Sequence, residues 1–232
     1  MNRSTSGHPL DNPIWKALAT RHAHLAEGGA LARRYPADIS PLSGLPARRP
    51  ANIAALKDLV VIGDDLGVFE TEVPALGATW EVLRETRITQ MLRPVGARLA
   101  EPEADYRPLG SADVADMLEL VSVAQPGPFR TRTIELGRFV GLRDRGRLVA
   151  MAGERMWIDG FRELSGVCTH PDVRGRGHAR ALSAYVVNRM QERGETPFLH
   201  VLSANEGAIE LYRALGFVHR AEFFLLHAKR VA

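Results

Sequence analysis

Hydrophobic and polar positions follow a regular pattern most clearly in the second half of the chain. Residues 138–142, 147–157 and 161–169 read as three strands, the first two joined by a turn at 144–146. Residues 106–109 read as a short strand before them. Ser111 can cap a helix to about residue 123, with Val114, Met117, Leu118 and Val121 on one face. Leu182, Val186 and Met190 stand four apart and predict a helix over 179–190. Residues 198–202 read as a strand and 205–215 as a helix that Gly216 ends. Residues 217–230 supply one or two closing strands. This order predicts a mixed sheet covered by helices, an α+β or α/β layered fold.

The first half is less regular. Residues 12–34 predict one helix, with Asn12 as N-cap, Pro13 in the first turn, and Ile14, Leu18, His22, Leu25 and Ala26 near one face. Gly28 and Gly29 weaken its second half. Residues 36–53, rich in proline, read as a loop. Residues 59–62 and 66–71 read as two strands around a turn at 63–65. Residues 80–93 fit a helix or a strand equally, and 94–108 form a second breaker-rich stretch. Only Trp15, Tyr35, Phe69 and Trp80, of 15 aromatics, precede residue 104, so this region is expected to lean on the rest for its core. The division falls into residues 1–104 and 105–232, within a 232-residue length that suits one large domain or two small ones.

Composition narrows the class. Apolar residues make up 45% and charged residues 25%, which excludes a disordered or fibrous chain. One cysteine, Cys168, cannot form an internal disulfide. No apolar run approaches a membrane span and the first ten residues lack a signal-peptide pattern, so a cytoplasmic location and no membrane partner are expected. Only three of the 30 basic residues are lysine, yet the net charge is +3 and no Lys/Arg run exceeds two. The arginine bias reads as GC-rich coding, and no nucleic-acid partner is expected.

The most informative segment runs from Val167 to Arg180. A strand ends at Thr169, Pro171 turns the chain, and Arg174-Gly175-Arg176-Gly177-His178-Ala179 leads into a helix. Unpaired amides at a helix start bind anions, and Gly175 and Gly177 would let a phosphate approach the backbone. A Walker loop fails because His178-Ala179 stands where Lys-Ser/Thr is needed. A dinucleotide fingerprint fails because Arg180 replaces the third small residue.

This segment resembles the R/Q-x-x-G-x-G/A pyrophosphate loop of the GNAT (GCN5-related) N-acetyltransferase superfamily. A second signature follows: a strand ending at Ser203-Ala204-Asn205, then Ala208 to Tyr212 as A-x-x-x-Y, then Leu215-Gly216-Phe217. Together they span about residues 106–230, and the whole chain resembles a glycine-N-acyltransferase-like branch with an N-terminal extension. The resemblance implies a mixed, mostly antiparallel sheet, with residues 1–104 as an α/β extension forming a partial second lobe over the acceptor site. It implies a bacterial acetyltransferase using acetyl-CoA and an amine acceptor, without a metal. The amides of Arg174, Gly175, Arg176, Gly177, His178 and Ala179 would hold the pyrophosphate. The backbone of Val167, Cys168 and Thr169 would pair with the pantetheine arm. Asn205 would contact coenzyme A or a water, or serve as an N-cap, with Ser203 an alternative helix start. Tyr212 would protonate the departing thiolate.

For the general base, His200 stands twelve residues before Tyr212, where ribosomal-protein acetyltransferases of the superfamily carry a glutamate. Its ordinary pKa suits proton removal. Glu163 and Glu154 are rivals, and solvent is a third route. Cys168, within an apolar strand, is expected to be inert. His22 and His24 are too weak a pair to suggest a metal. The leading reading is direct acetyl transfer to a primary amine: a small molecule, an amino acid or a peptide N-terminus. The alternative is a non-catalytic acyl-CoA-binding sensor. Acyl preference and oligomeric state, monomer or homodimer, stay open.

Overall fold

The computed structural model describes residues 7–72, 77–101 and 105–232. The N-terminal half contributes helices α1 (Pro13–Ala19) and α2 (Pro50–Leu59) and strands β1 (Glu27–Gly28), β2 (Arg33–Arg34), β3 (Ser43–Gly44), β4 (Asp65–Glu70) and β5 (Trp80–Leu92). The C-terminal half contributes β6 (Arg107–Leu109), α3 (Val114–Ala124), β7 (Phe139–Asp144), β8 (Arg147–Ile158) and β9 (Phe161–Thr169). It ends with α4 (His178–Glu192), β10 (Thr196–Leu202), α5 (Glu206–Ala214) and β11 (Val218–Arg230). β1–β3 form a small sheet, and the other eight strands form one sheet in the order β4-β11-β5-β10-β9-β8-β7-β6. Only the β9–β10 pairing is parallel, so the sheet is mixed and mostly antiparallel, as expected.

The C-terminal elements form where the pattern predicts them. Arg145 and Gly146, both at positive φ, make the tight β7–β8 turn that matches strand twist. Successive residues of β8 face opposite ways: Ala150 and Ala152 pack with Leu182, Val186 and Met190 of α4, while Met151 packs with Met117 and Leu120 of α3. Helices thus cover both faces. Among the described residues no helix is long and apolar enough to cross a membrane.

Two expectations in the N-terminal half need correction, and one left open is resolved. The helix over 12–34 stops at Ala19, where the Thr20 hydroxyl bonds to the Lys16 carbonyl (2.6 Å) and Arg33 Nη1 donates to the Leu18 carbonyl (2.6 Å). These side chains take over carbonyls that a longer helix would have used. The expected strand over 59–62 is instead the end of α2 and a turn. Pro50 sits at its first position, and Leu56 and Val60 pack onto Leu66 and Leu226. The ambiguous 80–93 segment is a strand buried on both faces at its inner end, so no alternation marks it.

β5 lies between β10 and β11, with Gln90 opposite both His200 and Ala221. Leu10, Ile14, Leu18, Tyr35 and Ile39 share one cluster with Leu136, Met156, Ile158 and Phe198. Hydrogen bonds and packing therefore run across the division expected at 104, and residues 102–104 themselves lie outside the described residues.

Candidate active site

β9 and β10 pair only through Phe161↔Thr196, Arg162↔Pro197 and Glu163↔Phe198, then diverge. The gap opens into a cavity of about 620 Å³ whose walls include β9 residues Val167, Cys168 and Thr169 and α5 residues Ala208, Leu211 and Tyr212. The register shift between Met151 and Gly153 on β8, and Gly166 at φ +63°, bend β9 away from β10. A Cβ at Gly166 would stand 3.0 Å from Phe139 Cε1, so that bend needs glycine.

At the mouth of this gap the chain makes a one-turn 3₁₀ helix, Pro171–Val173, which the His170 ring caps by accepting from the Asp172 amide (3.2 Å). Gly175 and Gly177 follow at φ +78° and +81°, with no atom within 4 Å of either Cβ position. Gly177 is the N-cap of the 15-residue α4 and offers no side-chain cap. The first bond of that helix runs from the Ala181 amide to the Gly177 carbonyl (3.0 Å). Among the described residues, the amides of 175–180 have no partner outside the regular helix. Free amides and the positive end of a helix dipole meet in one concave turn, which fits a diphosphate. Arg174, His178 and Arg180 line the cavity beside it, whereas Arg176 does not. The Thr169 hydroxyl is buried without a partner, an orphan that an amide of the pantetheine arm would satisfy. The residues present therefore fit coenzyme A.

Tyr212 packs edge-on against Phe217 and has no hydrogen-bond partner among the described residues. Burial pushes its phenol up to about 12, and the neighbouring Cys168 adds to that. Burial likewise holds the Cys168 thiol at about 12, so it stays protonated and inert. Asn205 caps α5 by accepting from the Ala208 amide (3.1 Å) and also lines the cavity. Ser203 is not the cap; its hydroxyl donates to Glu222 (2.9 Å).

His200 and Glu163 come together in a buried chain of contacts. Glu163 receives Arg155 Nε and Nη2 as a fork (2.7 Å each), the Met156 amide (3.2 Å) and His200 Nδ1 (2.7 Å). Burial opposes its ionisation, but Arg155 and His200 outweigh it and hold the carboxyl down at about 2. The far ring nitrogen of His200 lies 2.9 Å from Gln90 Nε2. Arg220 donates to Gln90 Oε1 (2.6 Å), which fixes the amide's orientation, so Gln90 can only donate to the ring. His200 is thus neutral, with Nδ1 carrying the proton and Nε2 accepting, and burial keeps its pKa below the usual value. Neither expected base offers a free lone pair. Glu154 lies elsewhere, paired with Arg193 (2.6 Å), and His22 bonds to the Tyr35 hydroxyl (2.8 Å).

The N-terminal half supplies walls that sequence reasoning did not single out. Pro41, Leu42, Gly67, Phe69, Arg84 and Ile88 all line the cavity. His227 of β11 lines it too, held by Asp65 (2.6 Å), whose two oxygens also accept from Arg130 Nη2. No motif marks these positions; only the register of β4, β11 and β5 brings them together.

A sequence profile of the FR47-like protein family matches residues 139–225. A crystal structure from Novosphingobium aromaticivorans, described as an acetyltransferase from the GNAT family, is 34% identical. The match covers 97% of this chain and 100% of that one, with a TM-score of 0.90. A GCN5-related N-acetyltransferase from Kribbella flavida shares the fold at 17% identity and a TM-score of 0.60, covering 95% and 96% of the two chains. The [ribosomal protein bS18]-alanine N-acetyltransferase of Escherichia coli K12 is 32% identical over 77 residues, 33% of this chain. The chain spans about half the length, 51%, of that curated relative.

Proposed function

The chain belongs to the GNAT family of acetyltransferases, and from that premise we propose that it moves an acetyl group directly from acetyl-CoA to a primary amine. One observation carries the reading: the turn at 175–180, whose amides lack partners among the described residues, borders the same cavity as Tyr212, whose hydroxyl also lacks one among them. Direct transfer needs a held thioester, an uncharged amine and a proton for the departing sulfur. The amides of 175–180 hold the diphosphate, helped by Arg174 and Arg180. The backbone of Val167, Cys168 and Thr169, freed by the divergence of β9 from β10, pairs with the pantetheine arm. As the amine nitrogen bonds to the acetyl carbon and the carbon–sulfur bond breaks, Tyr212 gives its proton to the sulfur. A phenol near 12 is fully protonated at neutral pH, so the proton is in place when the thiolate departs.

His200 and Glu163 act as positioning residues. Their ring and carboxylate pin β10 to β9 just below the point of divergence, and the proton lost by the amine leaves through water in the cavity. Residues 1–104 form the acceptor side, supported by Leu42, Phe69 and Arg84 in the cavity wall. The bS18-alanine relative acts on an amine of a protein, and a peptide N-terminus is one acceptor class to try. A bacterial setting accords with the organism of that relative, and a cytoplasmic one with its ribosomal-protein target.

The test is thiol release from acetyl-CoA over a panel of amines, with Tyr212→Phe beside the wild type. The variant is expected to lose about 10²-fold in kcat while binding coenzyme A as before. Full activity of the variant at all pH values would remove Tyr212 from the reaction. Binding of coenzyme A without thiol release for any amine would favour the sensor reading.

A further inference from the structure

The three guanidinium nitrogens of Arg155 are unequally used. Nε and Nη2 both donate to Glu163, at 2.7 Å each. Nη1 has no hydrogen-bond partner among the described residues. It is not one of the buried side-chain atoms left without a partner, so it is open to the cavity that Arg155 lines. The group that carries it is held still. The fork rests on a fully buried carboxylate, which the Met156 amide and His200 Nδ1 fix in turn. The Phe69 ring packs on the other side, 6.0 Å from the guanidinium carbon, and itself packs against His200 at 4.7 Å between ring centroids.

The place of this nitrogen along the gap gives it a use. Glu163 is the last residue of β9 that pairs with β10. Ser165 and Gly166 come just past that pairing; they border the main cavity and share a smaller side pocket with Arg155. The phosphate turn lies at the opposite end of the freed stretch, beyond Thr169. An arm that runs back from the turn along Thr169, Cys168 and Val167 brings its thioester to Gly166 and Ser165, beside Arg155. When an amine adds to that carbonyl, the oxygen takes up negative charge. A donor already aimed at that oxygen, in a site sheltered from water, stabilises the charge without having to reorganise. Glu163 meanwhile neutralises Arg155, so the incoming amine meets no bare cation.

We propose that Arg155 is a catalytic residue whose Nη1 donates a hydrogen bond to the thioester carbonyl oxygen and stabilises the charge that oxygen carries as the amine adds. The inference rests on the acetyltransferase reading and supplies that site with an electrophilic partner, which neither signature in the chain marks. The nitrogen–carbon bond forms as the carbonyl π pair moves onto oxygen against Arg155. The pair returns as the carbon–sulfur bond breaks, Tyr212 gives its proton to sulfur, and the amine's proton leaves to water. Glu163 is then a positioning residue that aims Arg155.

The experiment uses the full chain, acetyl-CoA and any amine that gives thiol release. Arg155→Lys keeps a cation on Glu163 and lacks the third nitrogen. The double variant Arg155→Gln with Glu163→Gln removes both charges, so no buried charge is left unpaired. Coenzyme A affinity by calorimetry, unchanged in at least one variant, verifies folding. That variant is expected to lose about 10²-fold in kcat with little change in KM for the amine. Fluoroacetyl-CoA, whose carbonyl is more electrophilic, should lose less than acetyl-CoA does. A second readout needs no turnover: the infrared carbonyl stretch of bound acetyl-CoA, isotope-labelled at that carbon. It should lie at lower frequency on the wild type than on either variant, because the hydrogen bond weakens the carbonyl bond. A stretch at the same frequency on all three proteins would overturn the inference and leave the transferase reading standing. So would a loss confined to KM for the amine, which would place Arg155 on the acceptor instead. Absence of thiol release with every amine, while coenzyme A binds, would overturn both.

Discussion

Replacing Glu163 by Gln tests the buried contacts beneath the cavity. The carboxylate is fully buried and takes four hydrogen bonds, two of them from an arginine whose side chain is itself only 16% exposed. Its pKa falls from the usual 4.5 to about 2, which corresponds to roughly 3 kcal/mol of stabilisation of the folded state. Removing one member of a buried pair costs about 3–5 kcal/mol by a separate route, because Arg155 is left uncompensated. The two figures agree in size. For a chain of this length that is a fall in Tm of roughly 6–20 °C. The sign with pH follows from the depressed pKa. The stabilisation is fully present above about 4.5 and is lost as pH falls toward 2. Urea unfolding of wild type and Glu163→Gln should therefore show a constant gap from pH 7 to pH 5 that narrows at pH 4 and again at pH 3. A gap below about 1 kcal/mol at pH 7, or one that persists undiminished at pH 3, would refute the reasoning.

Three further outcomes are expected. Gly177→Ala forces a side chain into φ +81° with open space around it, so the cost is backbone strain of about 1 kcal/mol together with a methyl group in the phosphate turn; coenzyme A affinity by calorimetry should fall about tenfold. Native Cys168 should react with iodoacetamide at pH 8 about a thousandfold more slowly than a free thiol, since its pKa is about 12; stoichiometric labelling within minutes by mass spectrometry would contradict this. His200→Asn should lower thermal stability while leaving the acidic limb of the kcat/KM profile in place, because both ring nitrogens are already engaged; loss of that limb would restore His200 as the base.

The C-terminal half was legible because its elements are local and its signals physical. The four-residue spacing of Leu182, Val186 and Met190 marks a helix wherever it is packed, and Gly175 and Gly177 mark a turn that tolerates positive φ. The candidate site was legible to the same extent, on the donor side. His200 and Glu163 were picked out as isolated residues, but their meaning depends on Gln90 and Arg155, and Gln90 lies 110 positions from His200 in sequence. Arg84, Phe69 and Leu42 carried no signal, since a cavity wall built from strand register has no local pattern. The sequence pattern overextends α1 because the arginine that caps it comes from β2, after a turn.

The insertion of β5 between β10 and β11 bears on how the chain is made. Its two partners begin more than 100 residues downstream, and the last pairing, Arg230 with Trp80, comes near the final residue given. On a ribosome β5 would emerge and wait with both edges bare until β10 and β11, more than 100 residues later, have been synthesised. Such long-range pairing folds slowly, and a bare strand edge recruits other strands. The residues toward its outer end, Glu81, Arg84, Glu85 and Arg87, are exposed and charged, so they act as gatekeepers for the waiting strand. A fragment covering 105–232 alone would leave one edge of β10 and both edges of β11 bare, and it is expected to aggregate unless residues 1–104 are supplied with it.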